Sequence, residues 1–450
     1  MLYLSSFGIL NLLTAELKLP ARDILCSHII DSLRAYWPQN SYLLNKIPVH
    51  CLEGKVNISL PLKMVTIDLP EWGKKLGVEG QMLVPQECVS FHNGKGEWKH
   101  VDWWLAMFLL LEGWHERLWE QKHGTIHSYS YRLKGWDSRA WDYAWVNRMA
   151  LFLRNWCLVE KEIQTLGEKP KHRFIITHDV DAVSKTFAIR LKQGAFNFYN
   201  CYQNILRGKF ADSWKSASKG LRMLFTNEDW WVFDQLLKME SDSKIFSTFH
   251  FYTDLKKRSF KQWLMDPSYD VSSEQFKILF QKLHQNGHVI GLHPSYDSWN
   301  NSQILGKQKE VLDNCLRNKV RVCRQHWLRF SWEKTWQAQS RALFEQDYTL
   351  MFNDRPGFRN SAALNWKPWN PKGNIAHTIQ CNPTFLMDSH LYDYLNLKKN
   401  KRVEEIKKWV IECQNVHGEG VVLWHPHTLT KAYGWRSGFE ELLRQVSKPN

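Results

Sequence analysis

Residues 174–181, FIITHDVD, join a short apolar run to a cluster of ionisable side chains. The apolar run is typical of a buried strand. Placing two carboxylates and an imidazole at the end of such a strand costs free energy unless a metal ion or a reaction uses them. The stretch therefore marks a candidate active site. It also predicts a fold built from buried apolar strands.

Similar strand-like runs recur from Lys171 onward, and helical patterns such as Glu274–Gln285 and residues 310–317 separate several of them. Strands that alternate with helices predict a parallel sheet covered by helices. Polar clusters directly follow several runs, which favours a distorted (β/α) barrel over the remaining alternative, an open doubly wound sheet. No Gly-rich phosphate loop follows a run, so we expect no nucleotide site. The predicted strands are residues 174–177, 246–251, 288–292, 320–323, 348–352 and 420–424.

The length of the chain predicts two domains, because 450 residues exceed the size of most single cores. A polar stretch at 164–171, which contains Gly167 and Pro170, suits a linker. We therefore predict a mixed α/β domain over residues 1–168 and the barrel over residues 169–450. In the first domain, residues 65–69 alternate as in a half-buried strand, and residues 103–119 and 141–159 have helical spacing.

The net charge and the aromatic residues indicate which classes of molecule the protein could bind. The net charge is +15, from 60 Lys and Arg against 45 Asp and Glu, and such an excess attracts polyanions. The basic residues are spread along the chain without a nucleic-acid motif, so we expect no nucleic acid partner. The 24 Trp include several beside polar residues, such as Trp366 and Trp369. Aromatic faces beside hydrogen-bonding groups suit sugar rings, although most Trp are expected in the core.

The cysteines and the apolar runs bear on location. The nine Cys are scattered without a C-x-x-C pair, which favours reduced thiols and a cytoplasmic protein. The longest apolar run, residues 103–111, is too short to span a bilayer, so we expect no integral membrane segment. The N-terminus lacks the basic start of a secretory signal. Secretion remains the alternative.

Four polar clusters stand at the ends of predicted strands, and the ends of parallel strands meet at one mouth of a barrel. Together they would supply carboxylates, imidazoles and an arginine, which is an inventory for metal-assisted hydrolysis. Mixed Asp and His donors suit zinc or another first-row divalent metal. The clusters are residues 177–181 (THDVD), 291–297 (GLHPSYD), 324–326 (RQH) and 424–427 (WHPH).

The motifs THDVD, GLHPSY, RQH, GFR and WH, in this order, resemble the polysaccharide deacetylase (NodB homology) superfamily, within carbohydrate esterase family four and its relatives. The resemblance covers the chain from about residue 173 and is closest to a bacterial subgroup with an extra N-terminal region. It implies an α/β fold with a distorted (β/α) barrel of the NodB type. It also implies removal of acetyl groups from N-acetylated sugars of a cell-surface polysaccharide or its precursor, with a divalent metal, for which we expect zinc.

The same resemblance implies roles for individual residues. Asp179 is the expected catalytic base, Arg324 orients it, and His425 is the expected general acid. The expected metal ligands are Asp181, His293 and Asp297. In the last of these the chain departs from the family's H-[ST]-x-x-H motif, because Pro294 replaces Ser or Thr and Asp297 replaces the second histidine. We expect the substrate to contact Tyr296, His326, Asp354, Arg359 and Trp424, and His326 is also a spare candidate ligand.

Each residue also has a purely structural interpretation. Asp179 and Asp181 would suit helix N-caps, and Arg324 and Arg359 would suit structural ion pairs. Two other functions stay open: a non-catalytic glycan-binding protein with a degenerate deacetylase barrel, to which the change at Asp297 points, and a polyanion-binding protein driven by the charge of +15. The joint occurrence of the clusters favours the hydrolase.

Overall fold

The computed structural model describes residues 18–52, 56–92, 95–161, 165–206, 208, 210–226, 228–253 and 259–448. Its strands are β1 Met64–Asp68, β2 Gln81–Pro85, β3 Val89–His92, β4 Lys95–Val101, β5 Arg173–Val180, β6 Thr248–Phe251, β7 Val289–Leu292, β8 Val322–Cys323, β9 Gln346–Asp347, β10 Trp369–Asn370, β11 Ile375–Ala376, β12 Gln380–Cys381, β13 Thr384–Met387 and β14 Glu419–Leu423. Its helices are α1 Arg22–Ser32, α2 Trp103–Leu111, α3 Trp114–His123, α4 Trp145–Lys161, α5 Phe187–Leu206, α6 Phe210–Phe225, α7 Phe233–Asp242, α8 Phe260–Met265, α9 Glu274–Gln285, α10 Ser302–Leu316, α11 Thr335–Arg341, α12 Lys399–Asn415 and α13 Arg436–Val446.

Eight strands form one sheet in the order β12-β9-β8-β7-β6-β5-β14-β13, and every pairing in it is parallel. The two outer strands, β12 and β13, are joined by only Asn382 and Pro383, so the sheet curls until its edges come close together. An open doubly wound sheet would instead reverse its strand order at a switch point. The predicted distorted (β/α) barrel is confirmed.

Most of the predicted barrel elements coincide with observed ones, and one does not. Helix α9 has the predicted bounds, and β5, β6, β7, β8 and β14 overlap the predicted strands. The prediction for residues 348–352 was wrong, because the strand there is β9, Gln346–Asp347, and residues 348–352 do not form a strand. Strands β12 and β13 were not predicted.

The N-terminal region contains the predicted strand, observed as β1, and the predicted helical segments, observed as α2, α3 and α4. The segment 103–119 is divided at Gly113, whose φ is 55°. A Cβ at this position would lie 2.2 Å from the ring of Trp332, so the turn needs glycine for both its backbone conformation and the close approach of the indole.

Buried polar contacts join this region to the barrel sequence. Glu112 accepts hydrogen bonds from Trp366 Nε1 at 2.9 Å and from the Trp369 backbone N–H at 2.7 Å. Asn147 donates to the Ala363 carbonyl at 3.0 Å and accepts from its N–H at 2.9 Å. Breaking such contacts would leave buried polar groups unsatisfied, so they hold the two parts of the sequence in one arrangement. The predicted boundary near residue 168 lies between α4 and β5.

No helix within the described ranges has both the length and the apolar character needed to cross a lipid bilayer.

Candidate active site

The alternation of β5 separates the side chains of residues 177–179. His178 is fully buried and lies between Glu240 Oε1 of α7, at 2.8 Å, and the Trp424 carbonyl, at 2.7 Å. Thr177 and Asp179 point the other way and contact Arg324. The strand therefore directs its imidazole toward the covering helices and its carboxylate into the barrel.

Asp179 lies in the barrel interior beside Arg324 and His250. The fully buried Arg324 donates from Nη1 to Asp179 Oδ1 at 3.1 Å and to Thr177 Oγ1 at 2.7 Å. His250 Nδ1 of β6 lies 3.1 Å from the same carboxylate oxygen. Burial alone would raise the pKa of Asp179, but Arg324, with His293 and His250, holds that pKa well below its usual range. The carboxylate is therefore ionised.

Asp181, His293 and His326 come together above Asp179. One potential ligand atom from each lies within 4.8 Å of the others. His293 Nε2 is 3.3 Å from Asp181 Oδ1, and the two imidazole rings are stacked with their centroids 4.8 Å apart. His293 Nδ1 donates to the Arg324 carbonyl at 2.7 Å, because a carbonyl can only accept. Nε2 is therefore the ring nitrogen that faces Asp181.

This group fits a divalent cation. Asp181 Oδ1 is buried, and it accepts no hydrogen bond from any residue that the structure describes, although 32% of the whole side chain is exposed. Burial alone would raise the pKa of Asp181, but His293, His326 and His425 lower it, so its carboxylate is ionised. One carboxylate oxygen with two imidazole nitrogens is a donor set that suits zinc or another first-row metal.

His425 lies on the other side of Asp181. Its Nε2 is 3.5 Å from Asp181 Oδ2, and its Nδ1 is 2.8 Å from Asp388 Oδ1. Asp388 also accepts from the His425 backbone N–H at 2.9 Å and from Thr428 Oγ1 at 3.0 Å, so it fixes the ring. Burial alone would lower the pKa of His425, but Asp388 and Asp181 raise it to about 10. The ring therefore presents a proton on Nε2 toward the barrel mouth.

The structure does not bring Asp297 to this group. Its carboxylate contacts Lys261 Nζ at 2.7 Å and Arg329 Nη1 at 3.0 Å, and it is 45% exposed. Two cations therefore already neutralise it. Tyr296, also expected at the substrate, stacks on the guanidinium of Arg329, with 4.1 Å from that group to the ring centroid.

Three other residues that were expected to contact the substrate instead make packing, hydrogen-bond or ion-pair contacts within the fold. Trp424 is fully buried and packs on Phe439 of α13 with ring centroids 5.5 Å apart. Asp354 accepts from the backbone N–H groups of Ser130 and Tyr131 at 2.9 and 3.1 Å. Arg359 is buried and pairs with Glu116 of α3. These three side chains anchor a barrel helix and the N-terminal region.

Two polar residues of the site were missed by the sequence interpretation. Asp388 directly follows the apolar strand β13, which is the same signal that marked Asp179 and Asp181. His250 lies inside the apolar run of β6, where alternation along the strand is its only signal. Both contact residues that had been predicted, His425 and Asp179 respectively.

The Arg359–Glu116 pair predicts a stability effect. Arg359→Met should lower the free energy of unfolding by about 3–5 kcal/mol, because it leaves a buried carboxylate without its cation. Arg355→Met is the matched control, since Arg355 pairs with Asp142 at 2.7 Å in a partly exposed position, where a loss of about 1 kcal/mol or less is expected. Chemical denaturation of both variants measures the difference. Equal losses in the free energy of unfolding would mean that the buried pair stabilises the fold no more than the partly exposed pair does.

Comparisons with known proteins give distant structural matches. No protein-family model matches the chain, and no curated protein matches it. A solved structure assigned as a polysaccharide deacetylase from Mycobacterium smegmatis is 14% identical, with a TM-score of 0.37, over 62% of this chain and 85% of its own. A 4-α-glucanotransferase from Thermococcus litoralis is 11% identical, with a TM-score of 0.35, over 62% of this chain and 38% of its own.

A mutant of a carbohydrate esterase family four pseudoenzyme with restored enzymatic activity is 10% identical, with a TM-score of 0.26, over 61% of this chain and 62% of its own. These low identities and TM-scores assign no role to any residue. The chemistry of the site rests on its own geometry.

Proposed function

We propose that this protein is a metal-dependent hydrolase of the polysaccharide deacetylase type, which removes acetyl groups from N-acetylated sugars. The observation that carries the proposal is the grouping of Asp181, His293 and His326 around one point, with Asp179 beneath it and His425 beside it. Four of the five sequence motifs that resemble the deacetylase superfamily contribute the residues of this grouping. They also supply the substrate class.

The ligand set that the geometry supports is Asp181, His293 and His326. His326 takes the place that sequence order suggested for Asp297, because its ring stacks beside His293, whereas Asp297 is held by Lys261 and Arg329. A divalent ion, for which we expect zinc, would polarise the acetyl oxygen and lower the pKa of a water molecule.

The remaining residues divide the proton transfers. Asp179 accepts a proton from the attacking water, and Arg324 with His250 holds its carboxylate in place. His425 donates a proton to the departing amine, and Asp388 is a positioning residue that fixes the ring through Nδ1. Base and acid lie on separate elements, β5 and the loop after β14, so that a bound amide would lie between them.

An aromatic side chain at the mouth suits a sugar. Trp327 directly follows His326, is 41% exposed, and donates from Nε1 to the Met265 carbonyl at 3.3 Å. That hydrogen bond fixes the indole while part of the side chain stays accessible. An accessible aromatic face beside a metal site suits the apolar C–H face of a pyranose ring.

Acetate release from a panel of sugars tests the function. We expect the native chain to release acetate from N-acetylglucosamine oligomers, to lose this activity with a chelator, and to regain it with added zinc or cobalt. O-acetylated sugars in the same panel determine which linkage is cleaved. Glycan binding without acetate release, with any of these metals, would contradict the proposal and favour a non-catalytic glycan-binding protein.

A further inference from the structure

Helices α5 and α6 form a hairpin between the first two strands of the barrel, β5 and β6. The two helices pack closely: a Cβ on Gly194 of α5 would lie 2.9 Å from Leu224 of α6, and Cys201 Sγ lies 3.1 Å from Ser213 Oγ. Since β5 carries Asp179 and ends one residue before Asp181, the hairpin emerges at the mouth of the barrel.

Each helix of the hairpin carries a row of exposed apolar side chains. Both rows have the spacing i, i+4, i+11 and i+15, which places each row on one face of its helix at about 100° per residue. The largest are strongly exposed: Phe210 at 72%, Trp214 at 77% and Phe225 at 77%. The rows are Phe187, Leu191, Phe198 and Tyr202 on α5, and Phe210, Trp214, Leu221 and Phe225 on α6.

The opposite face of the hairpin contacts the barrel. Met223 is fully buried in a cluster with Trp230, against which Ile189 and Tyr433 pack. Lys219 Nζ lies 5.5 Å from the ring centroid of Tyr433. Ile189, Lys219 and Met223 lie roughly half a turn from the apolar rows of their own helices. Since the helices run antiparallel, both rows therefore lie on the side directed away from the barrel.

The charge of the hairpin indicates what covers this apolar surface. Residues 185–222 contain eight Lys and Arg and one Asp, a net charge of +7. Lys185 and Arg190 donate hydrogen bonds to carbonyl groups within the hairpin, and Lys219 lies over Tyr433, so five Lys and Arg remain against one Asp. A second copy of the same surface would bring two such charges together, which opposes self-association. Duplex nucleic acid would satisfy the charge but would leave the exposed Phe and Trp side chains in water. An anionic lipid surface satisfies both, because basic residues contact headgroups while aromatic side chains enter the interface.

We propose that the outer face of the α5–α6 hairpin docks on an anionic membrane surface, with the barrel mouth beside it. Exposed apolar side chains also lie on α8, which follows β6 at the same end of the barrel: Phe260 is 76% exposed and Trp263 is 43% exposed. This inference does not depend on the proposed function. If both hold, the sugar that reaches the site is carried by a lipid or lies at a membrane.

Vesicle sedimentation with the full chain tests the docking. We expect the protein to sediment with vesicles of equal parts phosphatidylglycerol and phosphatidylcholine, and much less with phosphatidylcholine alone. Trp214→Gln with Phe225→Gln should reduce partitioning to the anionic vesicles by about tenfold or more, because two large apolar side chains no longer enter the interface. The control is Ile278→Gln with Leu343→Gln, which changes residues that are 60% and 77% exposed elsewhere on the surface, and it should bind as the native chain does.

Three results would overturn the docking. One is native protein that does not sediment with anionic vesicles. Another is equal loss of binding in the hairpin and control variants, since it would show no role for this surface. The third is a lipid-free dimer, measured by light scattering, that the hairpin variant alone abolishes, since it would show that a second copy covers the face. The hairpin variant should still release acetate, because its substitutions lie outside the proposed active site. A variant that loses vesicle binding but keeps acetate release therefore tests the docking and not the proposed function.

Discussion

Asp179→Asn is expected to lower acetate release by about 10²–10⁴-fold, because the variant cannot accept a proton from water. Asparagine keeps the shape of the side chain and can still accept a hydrogen bond from Arg324 Nη1, which lies 3.1 Å from Asp179 Oδ1. The fold should therefore persist. Initial rates on the best N-acetylated sugar, with circular dichroism to confirm folding, measure the effect.

Asp297→Asn is the matched control for that experiment. It removes a carboxylate that belongs to the same sequence motif as His293, but one that contacts Lys261 and Arg329 instead of the proposed metal ligands. We expect its acetate release to stay within a few-fold of the native rate. A folded Asp179→Asn variant with native activity would remove Asp179 from the role of base.

The second large effect concerns the metal. His326→Gln is expected to weaken zinc binding by about 100-fold or more, since the loss of a direct ligand should exceed the 10- to 100-fold effect of a supporting residue. The reason is geometric: His326 stacks at 4.8 Å on His293 and offers a nitrogen to the point that Asp181 and His293 also face. Competition with a fluorescent chelator gives the dissociation constants.

Asp297→Asn again separates the two possible third ligands. If His326 is the ligand, zinc affinity in this control should stay near native. A loss of affinity in Asp297→Asn with none in His326→Gln would restore the ligand set that the motif order alone suggested. Thermal unfolding of both variants without metal shows whether either change acts through folding.

The barrel was largely predictable because several of its strands combine two strong signals, an apolar run and a cluster of polar residues directly after it. In β5, an apolar run ends in Asp179 and Asp181, and parallel strands deliver such ends to one mouth. Strand β12 has only two residues, Gln380 and Cys381, which is too short for any periodicity to mark it. Strand β13 has a clear apolar run, and attention to it would also have marked Asp388, which contacts His425, as a candidate site residue.

The contacts between distant segments were not predictable from spacing. Nothing in the motif around His293 indicates that Lys261 and Arg329 approach Asp297, or that the loop after β8 stacks His326 on His293. In the same way, Arg359 resembles a substrate-binding residue in sequence, yet α3 of the N-terminal region supplies Glu116 to pair with it. Such partners are set by tertiary packing, for which a single sequence carries no local signal.

Anomalous X-ray diffraction from crystals grown with zinc would locate the ion and its ligands. The proposed ligand set predicts one strong peak at the barrel mouth, at about 2.0–2.2 Å from an oxygen of Asp181 and a nitrogen of each of His293 and His326. A peak bound by Asp297 without His326, or no peak near Asp181 at saturating zinc, would contradict it.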